Sequence, residues 1–101
     1  MMPAVPYPTP GEILLEEFLK PMGITQYRLA KEIGVPRRRI GEVIVGKRAV
    51  TVDTGMHLSH YFGTSEGFWT GLRDDHDRAA LKYTLAETLA RITPLKRPRA
   101  A

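Results

Sequence analysis

Apolar side chains recur every three or four positions along most of the chain, which is the spacing of an amphipathic helix. The first such stripe consists of Leu14, Leu15, Phe18 and Leu19. No stretch of any length alternates apolar and polar residues as a half-buried strand does. The pattern therefore predicts an all-α chain of five helices, at about residues 10–20, 25–33, 36–44, 51–62 and 65–92.

Residues at the ends of these stretches fit the predicted boundaries. A threonine hydroxyl just before a helix can accept a hydrogen bond from a free backbone N–H, and such residues are Thr9, Thr25 and Thr51. Gly34 follows the second helix, where the backbone often turns left-handed. We assign residues 1–93 to a single domain. Residues 94–101 combine basic residues with proline and are predicted to be a flexible tail.

The last predicted helix is longer than a core of this size needs. Over residues 65–92 it would be about 40 Å long, so we expect its second half to contact another partner. Phe68 fits the domain core, whereas Trp69 and Leu72 fit either the core or the contact with a second copy of the chain. The predicted dimer interface consists of Trp69, Leu72, Leu81 and Leu85.

The second and third predicted helices, joined by a short turn, form the arrangement that reads a DNA groove. The third helix turns Ile40, Val43 and Ile44 inward, which leaves three consecutive arginines at its exposed start. Arginine can donate two parallel hydrogen bonds to guanine, worth about 1–3 kcal/mol of discrimination. The predicted base-reading residues are Arg37, Arg38 and Glu42, of which the glutamate accepts from a cytosine amino group or restrains an arginine.

Other residues around the same two helices are placed to contact phosphates. The side-chain amide of Gln26 lies in the first turn of the second helix, where free backbone N–H groups also attract anions. The predicted phosphate contacts are Gln26, Tyr27, Arg28, Arg39, Lys47 and Arg48. The alternative for the arginine run is a solvated basic surface, and for the glutamine an ordinary helix-start residue.

The distribution of charge sharpens this picture. The net charge is only +4, yet residues 20–50 hold eight basic residues and two acidic ones. This concentration is expected of a surface that binds a polyanion. The chain has no cysteine, no signal-like start and no apolar run near the roughly 20 residues that cross a bilayer. We therefore expect a cytoplasmic protein without a membrane segment.

Histidines and acidic residues supply weaker candidates. His57 and His60 are three apart, but the sequence offers no third ligand in register, so no metal is predicted. Three further carboxylates near the start of the last helix fit a solvated helical turn better than a contact with a basic partner; they are Asp74, Asp75 and Asp77.

Three motifs carry a resemblance to a known family. They are PGEILLEEFLKPMGIT at residues 10–25, LAKEIGVPRRRIGEVIVGKRAVT at 29–51 and YFGTSEGFW at 61–69. In these the chain resembles the HigA/VapI-type antitoxins, a branch of the phage-repressor-like (Xre) helix-turn-helix proteins. Residues 76–101 fit the family less distinctively. Pro36 departs from the wider repressor class, in which a Ser or Thr often caps the reading helix.

The resemblance implies a five-helix phage-repressor-like domain with a long C-terminal helix. It also implies a homodimer that binds a palindromic operator in its own promoter, and a toxin of the HigB type, an mRNA-cleaving ribonuclease, as partner. Gln26, Arg37, Arg38 and Glu42 fall where repressor-like domains contact DNA. No cofactor is implied.

Two other functions remain open on the sequence. One is a solo Xre-type regulator without a toxin partner, and the other is a module of the same fold that binds only a protein. An enzyme has little support, because the sequence lacks a nucleophile–base pairing, a metal-ligand set and a phosphate-binding loop.

Overall fold

A computed structural model describes residues 7–96, and within this range the chain consists of helices and the turns between them, without a strand. Helix α1 is continuous over three segments, namely Pro10–Ile13, Leu14–Leu19 and Lys20–Met22. The others are α2 (Gln26–Ile33), α3 (Arg37–Ile44), α4 (Val52–Phe62), α5 (Phe68–Thr84) and α6 (Ala86–Ala90). The prediction of an all-α fold is confirmed. Among the helices within residues 7–96, none combines the length and the hydropathy of a membrane span.

Threonine hydroxyls cap the N-termini of three helices, as expected. Thr9 accepts from the backbone N–H of Glu12 at 3.1 Å. Thr25 caps α2 through the N–H of Arg28 at 3.0 Å, and Thr51 caps α4 at 3.2 Å. Each such cap contributes about 1 kcal/mol to helix stability. These three caps fix where the chain turns before α1, α2 and α4.

The middle of α1 is wound as a π-helix, which the sequence pattern did not predict. Over Leu14–Leu19 the turns are wider, and the N–H of Lys20 donates to the carbonyl of Leu15, five residues earlier. The wide turns directly precede Pro21, whose ring would press on the carbonyl of Glu17 in a regular α-helix. As a result Leu14 and Leu19 are both buried, although they are five residues apart.

The core lies where α1 meets the other helices. Its buried apolar residues are Leu14, Leu19, Leu29, Ala30, Val35, Ile40, Val43, Val50, Leu58 and Trp69. The indole of Trp69 is 0% exposed, with its ring centroid 5.0 Å from that of Phe18 and 5.1 Å from that of Phe68. The prediction of Trp69 as a dimer contact is therefore wrong, because its own domain covers it completely.

Gly11 marks a close approach between two helices. A Cβ atom built at this position would lie 2.1 Å from the carbonyl oxygen of Val43 and 2.8 Å from the Cα atom of Ile44. Only a residue without a side chain allows the start of α1 to rest on the end of α3. The first turn of the domain thereby supports the helix that carries the arginine run.

The C-terminal helix is shorter than predicted. The single helix expected over 65–92 begins at Phe68, because residues 65–67 form a turn, and it ends at Thr84 before the short α6. The hydroxyl of Thr84 donates to the carbonyls of Ala80 and Leu81, a competing bond that often accompanies a bend. The predicted flexible tail at 94–101 lies outside the described residues from position 97 onward.

Candidate nucleic-acid interface

Helix α3 presents one buried and one exposed side. Ile40 and Val43 are buried against the core, while Arg37 and Arg38 at the start of the helix are exposed. Arg39 is half-buried at the flank. Within residues 7–96, Arg37 makes no ion pair or side-chain hydrogen bond, so its guanidinium has all its donors available. The exposed start of α3 can therefore donate to a base edge or to a phosphate.

Glu42 organises two arginines around its carboxylate. It accepts from the Nε of Arg48 at 3.0 Å and from the Nε of Arg38 at 3.4 Å. These hydrogen bonds, first that of Arg48, hold the pKa of Glu42 below its usual value, so the group is ionised at neutral pH. Of the two roles predicted for Glu42, restraint of an arginine is the one that the structure contains. Acceptance from cytosine remains a prediction.

Gln26 lies next to the exposed side of α3. A Cβ atom at Gly41 would lie 3.6 Å from the side-chain oxygen of Gln26, so the start of α2 and the middle of α3 meet there. Gly34 makes this possible, since its φ of 72° turns the chain between the two helices. A single stretch of DNA backbone can therefore reach the first turn of α2 while a groove receives α3.

Arg28 points into a different network. Its Nε donates to Glu32 at 3.1 Å, and the hydroxyl of Tyr61 on α4 donates to the other oxygen of the same carboxylate. The bonds from Tyr61 and then Arg28 lower the pKa of Glu32, while the bond to Glu32 raises the pKa of Tyr61 and that of Arg28. Glu32 engages only the Nε of this exposed guanidinium, and the phosphate contact of Arg28 remains a prediction.

The segment after α3, residues 45–51, carries two more of the predicted phosphate contacts. We call it the 45–51 loop. Lys47 and Arg48 are exposed in it, and their backbone N–H groups donate to the carbonyl of Glu42 at 2.8 and 3.2 Å. At the far end of the loop, Arg73 donates from Nη1 to the carbonyl of Val50 at 2.8 Å. The sequence analysis missed Arg73, since no local spacing links residues that are 23 positions apart.

The predicted site residues thus fall into two separate regions. The first surrounds α3 and contains Gln26, Tyr27, Arg37, Arg38, Arg39, Glu42, Lys47 and Arg48. The second lies along α5 and just beyond it, where Leu81 is 53% exposed, Leu85 is 37% exposed and Leu72 is half-buried. DNA binding can therefore be tested at the first region, and contact with a second copy of the chain can be tested separately at the second.

Two of the histidines lie against backbone carbonyls, one within its own helix and one on a residue distant in sequence. The Nδ1 of His57 lies 2.8 Å from the carbonyl of Asp53, and that of His76 lies 2.7 Å from the carbonyl of Tyr7. In the part of the chain that the structure describes, no group of three His, Cys, Asp or Glu residues is arranged to bind a metal ion.

Comparison with known proteins shows what this chain is similar to. The family model described as helix-turn-helix matches residues 15–69. Virulence-associated protein I of Dichelobacter nodosus is 42% identical over 76 residues, which cover 75% of this chain and 68% of that protein. Antitoxin HigA-1 of Vibrio cholerae is 32% identical over 85 residues, covering 84% of this chain and 80% of the relative.

A solved structure shows the same fold on DNA. The Pseudomonas aeruginosa antitoxin HigA, in a structure with the higBA promoter, superposes with a TM-score of 0.80 at 29% identity. The match covers 88% of this chain and 98% of the other.

Proposed function

We propose a function from the premise that this chain belongs to the HigA/VapI-type antitoxins of the helix-turn-helix family. The family resemblance found in the sequence motifs is thereby confirmed. The proposed function is that of an antitoxin that binds an operator in its own promoter as a dimer, represses its operon and neutralises an mRNA-cleaving toxin. We assign it no catalytic reaction and place it in the cytoplasm, near the nucleoid.

The observation that carries the DNA-binding part is the exposed start of α3. Arg37 and Arg38 project from a helix whose other side is buried, and the exposed loop residues Lys47 and Arg48 lie just beyond its end. A guanidinium at the start of a helix in the groove can donate two hydrogen bonds to guanine, whereas basic side chains at the edge of the groove contact phosphates without regard to sequence. We therefore assign Arg37 and Arg38 to bases, and Gln26 with the remaining basic residues of this region to the DNA backbone.

Operator binding is tested on DNA from upstream of the chain's own reading frame. At physiological salt we expect this DNA to bind at least about 10³-fold more tightly than a scrambled duplex of the same length and base composition. Fluorescence anisotropy with both duplexes measures the ratio, and footprinting locates the protected half-sites. Equal affinity for the two duplexes would show that the chain is not a sequence-specific regulator of its operon.

Dimerisation follows from the small reach of one helix. A single α3 reads few base pairs, so specificity requires a second copy about 34 Å away, which is one DNA turn. The exposed leucines of the C-terminal region fit a contact between copies. Leu72 is half-buried against the core, and its remaining surface is available to the same contact. We propose Leu72, Leu81 and Leu85 as the interface, without Trp69.

Charge substitution tests this interface. The double change Leu81→Glu with Leu85→Glu is expected to convert the dimer to a monomer in sedimentation velocity, because like charges then meet in an apolar contact. Val52→Glu is the matched control, since Val52 is 63% exposed on a different helix. An unchanged dimer in the double variant would mean that the copies meet at another surface.

Neutralisation of the toxin is the part that rests on family membership alone. Family membership predicts a neighbouring reading frame for a small ribonuclease of the HigB type. Co-purification of the two products, followed by rescue of growth when both are expressed, tests the pairing. A chain that binds its operator but neither binds nor counteracts the product of a neighbouring gene would be a solo regulator instead.

A further inference from the structure

The 45–51 loop is attached to the domain at both of its ends. At its start, the backbone N–H groups of Lys47 and Arg48 donate to the carbonyl of Glu42. At its end, the side chain of Val50 is 1% exposed, and its carbonyl accepts a hydrogen bond from Arg73 of α5. The side chains of Lys47 and Arg48 are exposed, and that of Arg48 also donates to the Glu42 carboxylate. The loop backbone therefore sets the direction in which Lys47 projects and the point from which Arg48 starts.

The attachment through Arg73 consists of one hydrogen bond to the loop and one that holds the guanidinium on its own helix. Its guanidinium donates from Nη1 to Val50 at 2.8 Å and from Nη2 to the carboxylate of Asp74 at 3.1 Å. The Arg73 side chain is 30% exposed, so solvent screens this planar fork only in part. Within residues 7–96, no other donor reaches the carbonyl of Val50. Removal of Arg73 would thus leave this loop carbonyl without a partner from the protein.

We propose that Arg73 is a positioning residue for operator binding, which acts by fixing the 45–51 loop so that Lys47 and Arg48 meet the DNA backbone. The inference rests on the proposed function, since it concerns the strength of the same contact with DNA. It adds a residue that lies outside α2 and α3 and belongs to the helix that leads to Leu81 and Leu85. The spacing of two copies and the contact of each copy with phosphate are then set by one helix.

The test is a double-mutant cycle measured on operator DNA. Arg73→Met keeps an unbranched apolar stem and removes the guanidinium with both of its hydrogen bonds. We expect it to weaken operator binding about tenfold at physiological salt. The slope of the logarithm of the binding constant against the logarithm of the salt concentration should become less steep by about 0.9 for each phosphate that the loop no longer neutralises. In a protein that already carries Lys47→Ala and Arg48→Ala, the same change should lower operator affinity less than about twofold, because the side chains that Arg73 positions are absent.

Controls separate positioning from loss of charge and from loss of fold. Arg78→Met removes one positive charge from the same helix at an exposed position, 70% accessible, and should leave operator binding unchanged. Thermal unfolding reports whether Arg73→Met remains folded at the assay temperature. If it does not, the cycle is run with Arg73→Lys, which keeps the charge but not the fork, and a smaller loss that also vanishes in the double background is expected.

The outcomes are distinct from those of the proposed function. The role of Arg73 would be overturned if Arg73→Met lost no operator affinity, or if the full tenfold loss persisted in the Lys47→Ala, Arg48→Ala background. Operator binding by the wild-type protein would stand in both cases. A wild-type protein that fails to prefer its operator over scrambled DNA would instead remove the proposed function itself.

Discussion

Gly11→Ala is expected to lower the free energy of unfolding by about 2–3 kcal/mol, even though alanine is the better helix former. The new methyl group would lie 2.1 Å from the carbonyl oxygen of Val43, which is backbone and cannot rotate away. Helix α1 or α3 must then shift, and the shift affects the support of the arginine run directly. Chemical denaturation measures the loss, and operator affinity should fall with it.

A second glycine provides the matched control for this substitution. Gly71 is also within a helix, and a Cβ atom built there would meet nothing within 4 Å. Gly71→Ala should therefore raise the free energy of unfolding, by up to about 1 kcal/mol. Stabilisation by both alanines would mean that α1 and α3 do not approach each other at Gly11 as described.

The double variant Arg37→Ala with Arg38→Ala is expected to lose at least about 100-fold in affinity for the operator, since each arginine–guanine pair contributes about 1–3 kcal/mol of discrimination and recurs in both copies. Affinity for scrambled DNA should fall much less, because phosphate contacts supply that binding. Stability should stay close to wild type, as both side chains are exposed. Titration of both duplexes at several salt concentrations measures the two affinities, and chemical denaturation measures the stability.

Lys47→Ala is the informative companion to this experiment. It should weaken binding to operator and to scrambled DNA by the same factor and make both affinities less dependent on salt, as expected for a residue that contacts only phosphate. Should the arginine variants and the lysine variant lose affinity equally on every duplex, the division into base-reading and phosphate-contacting residues would be incorrect.

Local chemistry explains why much of this fold could be predicted. Thr25 and Gly34 delimit α2 through a side-chain cap and a left-handed turn, and both signals depend only on residues close in sequence. The inward side of α3 follows from the spacing of Ile40 and Val43. The exposed side, with its arginines, follows by elimination.

Contacts between distant positions explain what could not be predicted. The bond from Arg73 to Val50 and that from Tyr61 to Glu32 join residues 23 and 29 positions apart, and they depend on how helices cross. Trp69 was ambiguous for the same reason, because a large apolar side chain on an amphipathic helix fits a core and an interface equally well. The π-helical segment of α1 escaped as well, since its apolar residues also fit the ordinary helical spacing.

The carboxylate of Glu42 has a consequence for the thermodynamics of recognition. Long side chains normally lose rotamer freedom when they become ordered at an interface, and that loss of entropy opposes binding. Arg38 and Arg48 are already restrained by Glu42 in the free protein. Part of their entropy is therefore lost during folding, before DNA arrives, and Glu42→Ala should make operator binding more entropically unfavourable by calorimetry.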